Sequence, residues 1–371
     1  MTIAVRWIHS LAELRALGQR YDRMVLDAGP AGLFYQLGWI ERAWPYFHIK
    51  LGGSLAFLVA TRGAEIVGVA PLALRNKDWA HAKQRVLQVV GGTNDELDNW
   101  VPEILTAGVD RAECMRALGD GIAASSWDLL ELRLLRDETA GLIGASFPGI
   151  SSVVDPLATP RVALDGGWAE YRAKLPKRLT RMLDRGHKRA REEGVTVVHE
   201  VTTGVPAERR ADAELLHRAR QDQIRQSGRA RSSPFDEPAS RAVFWRLMDW
   251  ATEQGHLRAH WMSVGGKLAA FILALHHAGT TYAYFNAIDP AADRFSPGNL
   301  VLAAMIEREA TDHGAKIVDL MAGANLTKSL FATEEVTNRD LAMVNPARVI
   351  ARAKDGWIRG AKALMAARKA R

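Results

Sequence analysis

The sequence is almost without cysteine. Cys114 is the single cysteine among 371 residues, so the chain cannot form an intrachain disulfide, and zinc or iron–sulfur sites built on paired thiolates are excluded. We therefore expect no metal cofactor. A chain that relies on no disulfide suits a reducing compartment, and a cytoplasmic protein is predicted.

Long apolar runs are also missing. The run at residues 268–275 ends after eight residues at His276, whereas a membrane-spanning helix needs about 20 apolar residues. Arg6, Glu13 and Arg15 interrupt the N-terminal segment, where a secretory signal needs an apolar stretch. The sequence therefore predicts no transmembrane span and an uncleaved N-terminus.

Basic residues exceed acidic ones, and two segments are strongly enriched in them. Lysine and arginine number 49 against 42 aspartates and glutamates, which gives a net charge of +7. Residues 347–371 carry eight basic residues against one acid, Asp355, so this tail alone equals the excess. Segment 168–194 combines further cations with apolar residues at helical spacing and predicts an exposed basic amphipathic helix. Such segments favour an anionic partner.

The C-terminal segment 341–371 is predicted to be a basic amphipathic tail. Asn345-Pro346 breaks the chain, and the apolar residues that follow, Trp357 among them, project onto one broad helical face. Two alternatives stay open for this face. It docks on the second domain, or it inserts shallowly into an anionic membrane interface, which would make the protein peripheral to the inner face of the membrane.

One local pattern occurs twice, about two hundred residues apart. Residues 55–74 and residues 257–275 each combine two apolar strands around a glycine-containing turn. A repeated pattern of this kind indicates a repeated structural unit. The sequence therefore predicts two α/β domains with mixed sheets, at 1–155 and 156–340.

A strand, a loop, a helix, a strand and a helix are predicted beyond the second repeat. Aromatic and β-branched residues favour a strand over Thr280–Ile288. Ser296-Pro297-Gly298 offers an N-cap and a proline at the first helical position, so a helix is predicted to begin there. A strand over 315–321 and a short helix over 325–331 complete the order.

Four runs, at 284–290, 295–300, 319–323 and 328–331, carry a family resemblance. Further matching residues are Trp168-Ala169-Glu170-Tyr171, Leu216-His217 with Arg220, and Val69-Ala70-Pro71-Leu72. As a set they resemble the GNAT N-acyltransferase superfamily, and more narrowly its CelD-like branch, which is related to the FemAB/FemX peptidyltransferases. The resemblance covers roughly residues 30–335 and implies tandem GNAT-like domains with the acyl-CoA N-acyltransferase fold.

The resemblance implies that acetyl-CoA, or another acyl-CoA, binds the second domain as co-substrate. In the family, the strand that matches Thr280–Ile288 splays from the strand that matches 315–321, and pantetheine lies in the gap, where free backbone groups mimic a β-ladder. The following helix N-terminus holds the pyrophosphate. The implied cofactor-binding residues are Tyr284, Phe285, Asn286, Ser296, Gly298, Asn299 and Leu300.

The candidate catalytic residues are Asp319, Thr327 and Lys328. Acyl transfer needs a neutral amine, and Asp319 at a strand end is the candidate base; alternatively, its carboxylate caps the next turn or pairs with Lys328. Relatives carry a Tyr-Lys pair where this sequence has Thr327-Lys328, so the tyrosine that protonates the thiolate in many GNAT enzymes is missing. Either water protonates the thiolate, or the donor is not CoA.

An anionic acceptor is predicted from four basic side chains. His217 and Arg220 lie three residues apart, so a helix places both on one face, where they can bind a carboxylate or a phosphate. Lys177 and Arg181 in the basic segment suit an acceptor such as a sugar nucleotide, a lipid phosphate or an aminoacyl-tRNA. Solvated helix faces explain all four equally well. The nearby aromatic residues have core spacing, and no DNA partner is expected.

The leading prediction is an N-acyltransferase that acts on a small or glycan-linked amine in surface-polysaccharide or cell-envelope metabolism. One alternative is aminoacyl-tRNA-dependent transfer, as in the FemAB relatives. The other is a non-catalytic scaffold of a polysaccharide-synthesis assembly.

Overall fold

The computed structural model describes residues 2–79, 82–91, 100–146, 150–154, 157–226, 228, 233–323, 325–346 and 348. These residues form two compact units: the first takes the described residues of Met1–Pro156 and Thr337–Arg371, and the second takes Leu157–Val336. The predicted tail over 347–371 lies, apart from Arg348, outside the described residues.

The first unit is built from two sheets and their covering helices. Its elements up to residue 154 are β1 (Ala4–Ile8), α1 (Leu11–Arg15), α2 (Gln19–Asp27), a 3-10 helix (Pro30–Tyr35), α3 (Leu37–Leu51), β2 (Gly53–Leu55), β3 (Phe57–Arg62), β4 (Glu65–Ala70), β5 (Leu72–Trp79), β6 (Ala82–Val89), β7 (Leu105–Thr106), α4 (Arg111–Ala123), β8 (Leu129–Arg136), α5 (Asp137–Ser146) and β9 (Ser151–Val154). One sheet has the order β1-β3-β4-β7. A core that includes Leu58, Leu118 and Trp127 fills the unit.

The second unit holds one seven-stranded mixed sheet. Its elements are β10 (Thr159–Ala163), α6 (Gly167–Ala173), α7 (Lys177–Glu192), β11 (Val197–Thr202), α8 (Ala207–Gln226), α9 (Pro238–Glu253), β12 (Leu257–Val264), β13 (Lys267–His277), β14 (Thr280–Ile288), a 3-10 helix (Pro290–Phe295), α10 (Pro297–Asp312), β15 (Ile317–Asp319), α11 (Leu326–Phe331) and β16 (Glu334–Val336). The strand order is β11-β12-β13-β14-β15-β10-β16.

Helices cover this sheet on both faces. On one face, Ile272, Ala283 and Val301 belong to a core shared by α6, α7 and α10. On the other face, Phe271 and Phe285 pack with the aromatic side chains that α8 and α9 bring to the sheet. Strands covered in this way are apolar on both sides, which explains the continuous apolar run in β13.

The structure confirms several predicted elements. Both repeated patterns fold as antiparallel hairpins, β3 with β4 and β12 with β13. The strand Thr280–Ile288 and the helix start at Pro297 are also observed. The strand predicted over 315–321 is shorter, since β15 covers Ile317–Asp319. Among the described helices, none has an apolar stretch long enough to cross a bilayer.

The predicted basic helix over 168–194 is corrected to two helices. α6 ends at Ala173, and α7 begins at Lys177 with Pro176 as its N-cap residue. Proline lacks a backbone N–H and clashes with the preceding turn, so a helix does not continue through it. The prediction of a basic amphipathic helix is nevertheless confirmed for α7. Its buried residues include Leu179, Gly186 and Ala190.

A final strand, β17 (Asn338–Val344), corrects the predicted end of the second domain at 340 and the start of the tail at 341. β17 pairs antiparallel with β8 and β9 of the first unit and completes a six-stranded sheet with the order β2-β5-β6-β8-β17-β9. Its partners lie about two hundred residues earlier in the chain. A local sequence pattern gives no sign of such a distant pairing.

Candidate functional site

The edge of β14 opens within the sheet of the second unit. β14 pairs in parallel with β15 through Thr280, Thr281 and Tyr282, and β15 then ends at Asp319 while β14 continues to Ile288. The register of β14 against β13 shifts just beyond Tyr282, and such a bulge bends a strand. Residues 283–288 of β14 therefore extend beyond the end of β15.

The start of α10 faces the end of β14. Ser296 has left-handed backbone angles of φ 54° and ψ 45°, its side chain makes no cap, and the first turn holds no acidic residue. A Cβ at Gly298 would lie 2.9 Å from Cγ2 of Ile288, so only glycine allows this close approach without a shift. A helix N-terminus of this kind attracts an anion.

The backbone N–H groups at this helix start are not all available. Those of Asn299 and Leu300 donate to the Ser296 carbonyl, at 3.0 and 3.1 Å, and Pro297 has none. Within the described residues the Gly298 N–H has no such partner. The predicted anion site around Gly298, Asn299 and Leu300 therefore narrows to one free N–H together with the helix dipole.

A cavity of about 210 Å³ lies between β14, α10 and α11. Seven predicted site residues line it: Arg220, Asn286, Ser296, Gly298, Asn299, Thr327 and Lys328. Apolar lining comes from Phe271, Ile272, Ala283, Ala287, Ile288, Val301, Leu302 and Leu320. The structure thus gathers predicted residues from three helices and one strand around a single space.

Three predicted cofactor-binding side chains do not line this cavity. Tyr284 and Leu300 are buried, Leu300 within the core beneath α10. The ring of Phe285 stacks on His217 with centroids 4.6 Å apart. The side chains of these three residues therefore do not line the cavity, and their contact with a cofactor through the backbone stays a prediction.

Asn299 presents an orphaned polar atom at the cavity. Its Oδ1 is buried and has no hydrogen-bond partner among the described residues, and Asn299 lines the cavity. Buried amide oxygens are nearly always hydrogen-bonded in folded proteins. A donor group on a bound ligand would satisfy it.

Asp319 is tied into the fold, which corrects its prediction as general base. Its side chain is fully buried, its Oδ2 accepts a bond from Nε of Arg161 at 3.0 Å, and its Oδ1 accepts from the Met321 N–H at 2.9 Å. It does not line the cavity. The alternative of a turn-capping carboxylate is right, with Arg161 as the ionic partner in place of Lys328.

Thr327 and Lys328 both line the cavity from α11. The Nζ of Lys328 donates to the carbonyls of Met321 and Ala322, at 3.2 and 3.4 Å. Asn325 caps the helix by accepting from the Lys328 N–H. These bonds help to hold the ammonium group at the cavity wall.

The predicted acceptor-binding residues separate. His217 is buried, lies 2.8 Å from the hydroxyl of Ser233 through its Nδ1, and is bonded to Gln221. Since it packs against Phe285 and lies outside the cavity, its assignment to substrate binding is corrected. Arg220, one helical turn later, lines the cavity. Lys177 and Arg181 are exposed on α7, outside the cavity lining, and their role stays a prediction.

Asp293 was missed by the sequence reasoning. It lines the cavity, and its backbone carbonyl accepts from the Ser296 N–H at 2.9 Å. Its place in the loop directly before the Ser-Pro-Gly turn was the available signal. Arg161 was missed too, because nothing local links it to a carboxylate 158 residues away.

A second polar cluster is buried outside the cavity lining. Glu309 of α10 accepts from the Thr281 hydroxyl at 2.8 Å and lies 3.2 Å from Nε2 of His260. Burial would raise the pKa of Glu309, but hydrogen bonds from His260, His276 and Thr281 lower it below its usual value. Burial, with the neighbouring charge of His260, lowers the pKa of His199 to about 4.

In the part of the chain that the structure describes, no cluster of three or more His, Cys, Asp or Glu side chains could hold a metal ion.

Comparison with known proteins agrees with this architecture. Residues 177–329 match the family model described as an acetyltransferase (GNAT) domain, and comparison with curated proteins gives no match. The crystal structure of FemX superposes with a TM-score of 0.59 at 13% identity, covering 88% of this chain and 96% of FemX.

Two other solved structures share the fold. The C-terminal domain of a putative lysylphosphatidylglycerol synthetase from Agrobacterium fabrum has a TM-score of 0.53 at 12% identity, with 93% and 95% of the two chains covered. A conserved protein of unknown function from Bacteroides thetaiotaomicron has a TM-score of 0.52 at 11% identity, with 92% and 100% covered. The predicted GNAT fold is confirmed: residues 177–329 match a GNAT acetyltransferase domain, and the chain shares its fold with FemX.

Proposed function

We propose that this protein is an N-acyltransferase that moves an acyl group from acyl-CoA to an amine. The opening between β14 and β15, with the start of α10 at its end, is the observation that carries this proposal. The edge of β14 beyond the end of β15 offers backbone N–H and C=O groups to the amides of pantetheine, as a neighbouring strand would. The positive end of the α10 dipole suits the pyrophosphate.

The orphaned amide oxygen supports the same placement. Oδ1 of Asn299 requires a donor, and pantetheine carries amide N–H groups that phosphates lack. The Gly298 N–H, one residue earlier, remains for a phosphate oxygen. Adjacent positions on α10 therefore offer an acceptor and a donor, and the two parts of one CoA molecule need both.

The proposed reaction forms one bond and breaks one. The amine nitrogen attacks the thioester carbonyl carbon, the new C–N bond forms, the C–S bond breaks, and the thiolate leaves. The ammonium proton passes to water, since Asp319 is already bound by Arg161. Lys328 stabilises the departing thiolate by its charge, and water supplies the proton that makes the free thiol.

A glutamate at Gly298 tests the donor site. Gly298→Glu fills the space beside Ile288 and places a negative charge at the helix start, so its affinity for acetyl-CoA should fall more than about tenfold, or about 1.4 kcal/mol. Isothermal titration calorimetry measures this change. Gly141→Glu is the matched control, because Gly141 lies on α5 with no atom within 4 Å of an added Cβ. Unchanged affinity in a folded Gly298→Glu protein would remove the assignment.

Aminoacyl transfer is the second candidate, because α11 presents Thr327-Lys328 where the family resemblance implies a tyrosine. A leaving ribose oxygen needs a cation more than a thiolate does, and Lys328 lines the cavity. Binding of an aminoacyl-tRNA without binding of acetyl-CoA would favour this candidate. A protein that binds neither would fit the non-catalytic scaffold.

The finer assignments rest on the sequence. Acetyl as the acyl group, surface-polysaccharide or envelope metabolism as the context and the cytoplasm as the location are proposals supported by the CelD-like resemblance and the single cysteine. The predicted membrane or intramolecular docking of the tail falls on residues outside the described part of the chain.

A further inference from the structure

The cavity is lined from both faces of the sheet. Ile272 and Ala283 belong to the core that α10 covers. Phe271 packs with Phe285 on the face that α8 covers, and Ala287 pairs with Phe271 in the ladder. Ile272, Ala283, Phe271 and Ala287 all line the same cavity. At the open edge of β14, the cavity therefore reaches both the face of the sheet that α10 covers and the face that α8 covers.

Arg220 is the charged side chain that α8 brings to this cavity. α8 carries five arginines, and four of them form ion pairs: Arg209 with Glu200, Arg210 with Asp249, Arg218 with Glu214, and Arg225 with Asp222 and Asp236. Within the described residues, Arg220 forms none and contacts the amide oxygen of Gln223.

This difference is informative because the five arginines share one helix. Carboxylates pair with the other four arginines of α8. The guanidinium of Arg220, at the cavity, forms no ion pair with the described residues. A guanidinium presents a planar fork of N–H donors that matches a carboxylate or a phosphate. In the proposed function, the start of α10 binds the donor's phosphates from the other side of the sheet.

We propose that the acceptor amine carries an anionic group, a carboxylate or a phosphate, which Arg220 binds on the α8 side of the cavity. Donor and acceptor then enter from opposite faces of the sheet and meet at the open edge of β14. This inference rests on the proposed acyl transfer for its direction, but the anion site on Arg220 is testable by itself.

Matched probe pairs test the proposal. Glucosamine 6-phosphate is compared with glucosamine, and L-alanine with L-alaninamide, by calorimetric titration of the full-length protein with and without acetyl-CoA. The wild type should bind one anionic member at least about tenfold more tightly than its neutral partner. The pair that shows the preference distinguishes phosphate from carboxylate.

Variants of Arg220 test whether this side chain causes the preference for the anionic probe. Arg220→Gln should abolish it, Arg220→Lys should retain part of it, and Arg220→Glu should reverse it. Arg246→Gln is the control, since Arg246 is exposed on α9 and forms no ion pair in the described structure. Acetyl-CoA affinity should stay within about twofold in all of them, because the donor lies on the α10 side.

Two results overturn the proposal. One is that no anionic probe binds at concentrations up to about 10 mM, which is above the ordinary range of substrate KM values. The other is an anion preference that persists in Arg220→Gln. A wild-type protein that binds the anionic probes through Arg220 but does not bind acetyl-CoA would support the anion site and contradict the acyl-CoA donor, so the two failures are distinguishable.

Discussion

Each unit contains two parallel neighbouring strands connected through a helix, but the strands end differently in the two units. In the second, β14 and β15 are parallel neighbours connected through α10, and in the first, β6 and β8 are parallel neighbours connected through α4. β14 runs six residues beyond its last pair with β15, whereas β6 ends at Val89, one residue beyond its last pair with β8. In the second unit, the strand that leads into the connecting helix therefore has the open edge, whereas in the first unit it is β8, after the helix, that continues past its last pair at Glu131 to Arg136.

The two connecting helices also begin differently. Asp110 caps α4 by accepting from the Glu113 N–H at 2.8 Å, and Glu113 adds a second carboxylate to the first turn. The start of α10 has neither a side-chain cap nor an acid. Carboxylates satisfy a helix start internally and repel other anions. The start of α10 therefore stays open to an anionic ligand, whereas the start of α4 does not.

The largest expected effect concerns the turn that ends β15. β8 continues to Arg136, but β15 stops at Asp319, whose carboxylate is held by Arg161. Arg161→Met leaves Asp319 buried without its partner and should lower the free energy of unfolding by about 3 kcal/mol. Chemical denaturation measures this loss. Arg308→Met breaks an exposed pair with Asp312 and should cost less than about 1 kcal/mol. Equal losses in the two variants would contradict a structural role for the buried pair.

A smaller effect is expected when α10 is made to resemble α4. Ser296→Asp introduces an acidic N-cap at a left-handed position that aspartate tolerates. Acetyl-CoA affinity should fall about tenfold, or about 1.4 kcal/mol, while thermal stability is kept. Ser296→Asn, with the same shape and no charge, should bind acetyl-CoA as the wild type does. If both variants bind equally, charge at the helix start is irrelevant to the ligand.

The smallest effect is a difference in acid sensitivity between the units. The pKa of His199 is lowered to about 4 in the fold from an ordinary 6.5, so its contribution to stability is present above pH 6.5 and is lost as pH falls toward 4. In the first unit, burial raises the pKa of Glu103 against the opposing effects of Thr139 and Arg111, so acid favours that fold instead. Lowering the pH from 7 to 5 should therefore reduce hydrogen-exchange protection more in the second unit than in the first.

His199→Gln sharpens this comparison. It removes the titration and should reduce the pH slope of the unfolding free energy by at most one proton, about 1.4 kcal/mol per pH unit, and by less because the ring is partly exposed. A slope that is unchanged in this variant would assign the acid sensitivity to other groups.

Features coded by neighbouring residues were predicted well. The alternating and apolar patterns of β12, β13 and β14 and the Ser-Pro start of α10 depend on residues within one element, and each was located correctly. The opening beside β14 was implied by the family resemblance and not by local pattern. β17 depends on partners in another part of the chain, which no local signal identifies.

The site residues divide along the same line. Gly298 and Arg220, both predicted site residues, line the cavity, but polar residues at strand ends and on helices have several possible partners. Asp319 meets Arg161, and His217 meets Ser233 and Phe285. Burial and long-range pairing decide between a structural and a functional polar group, and neither is visible in spacing.

The return of β17 to the first sheet has a consequence for synthesis on the ribosome. The second unit begins and ends on paired strands, with Thr159 opposite Val336, so its two ends meet and all its strands emerge before β17 does. The first unit lacks the strand between β8 and β9 until then. Vectorial synthesis should therefore complete the second unit first and leave the earlier-made unit with two unpaired strand edges to be protected while it waits.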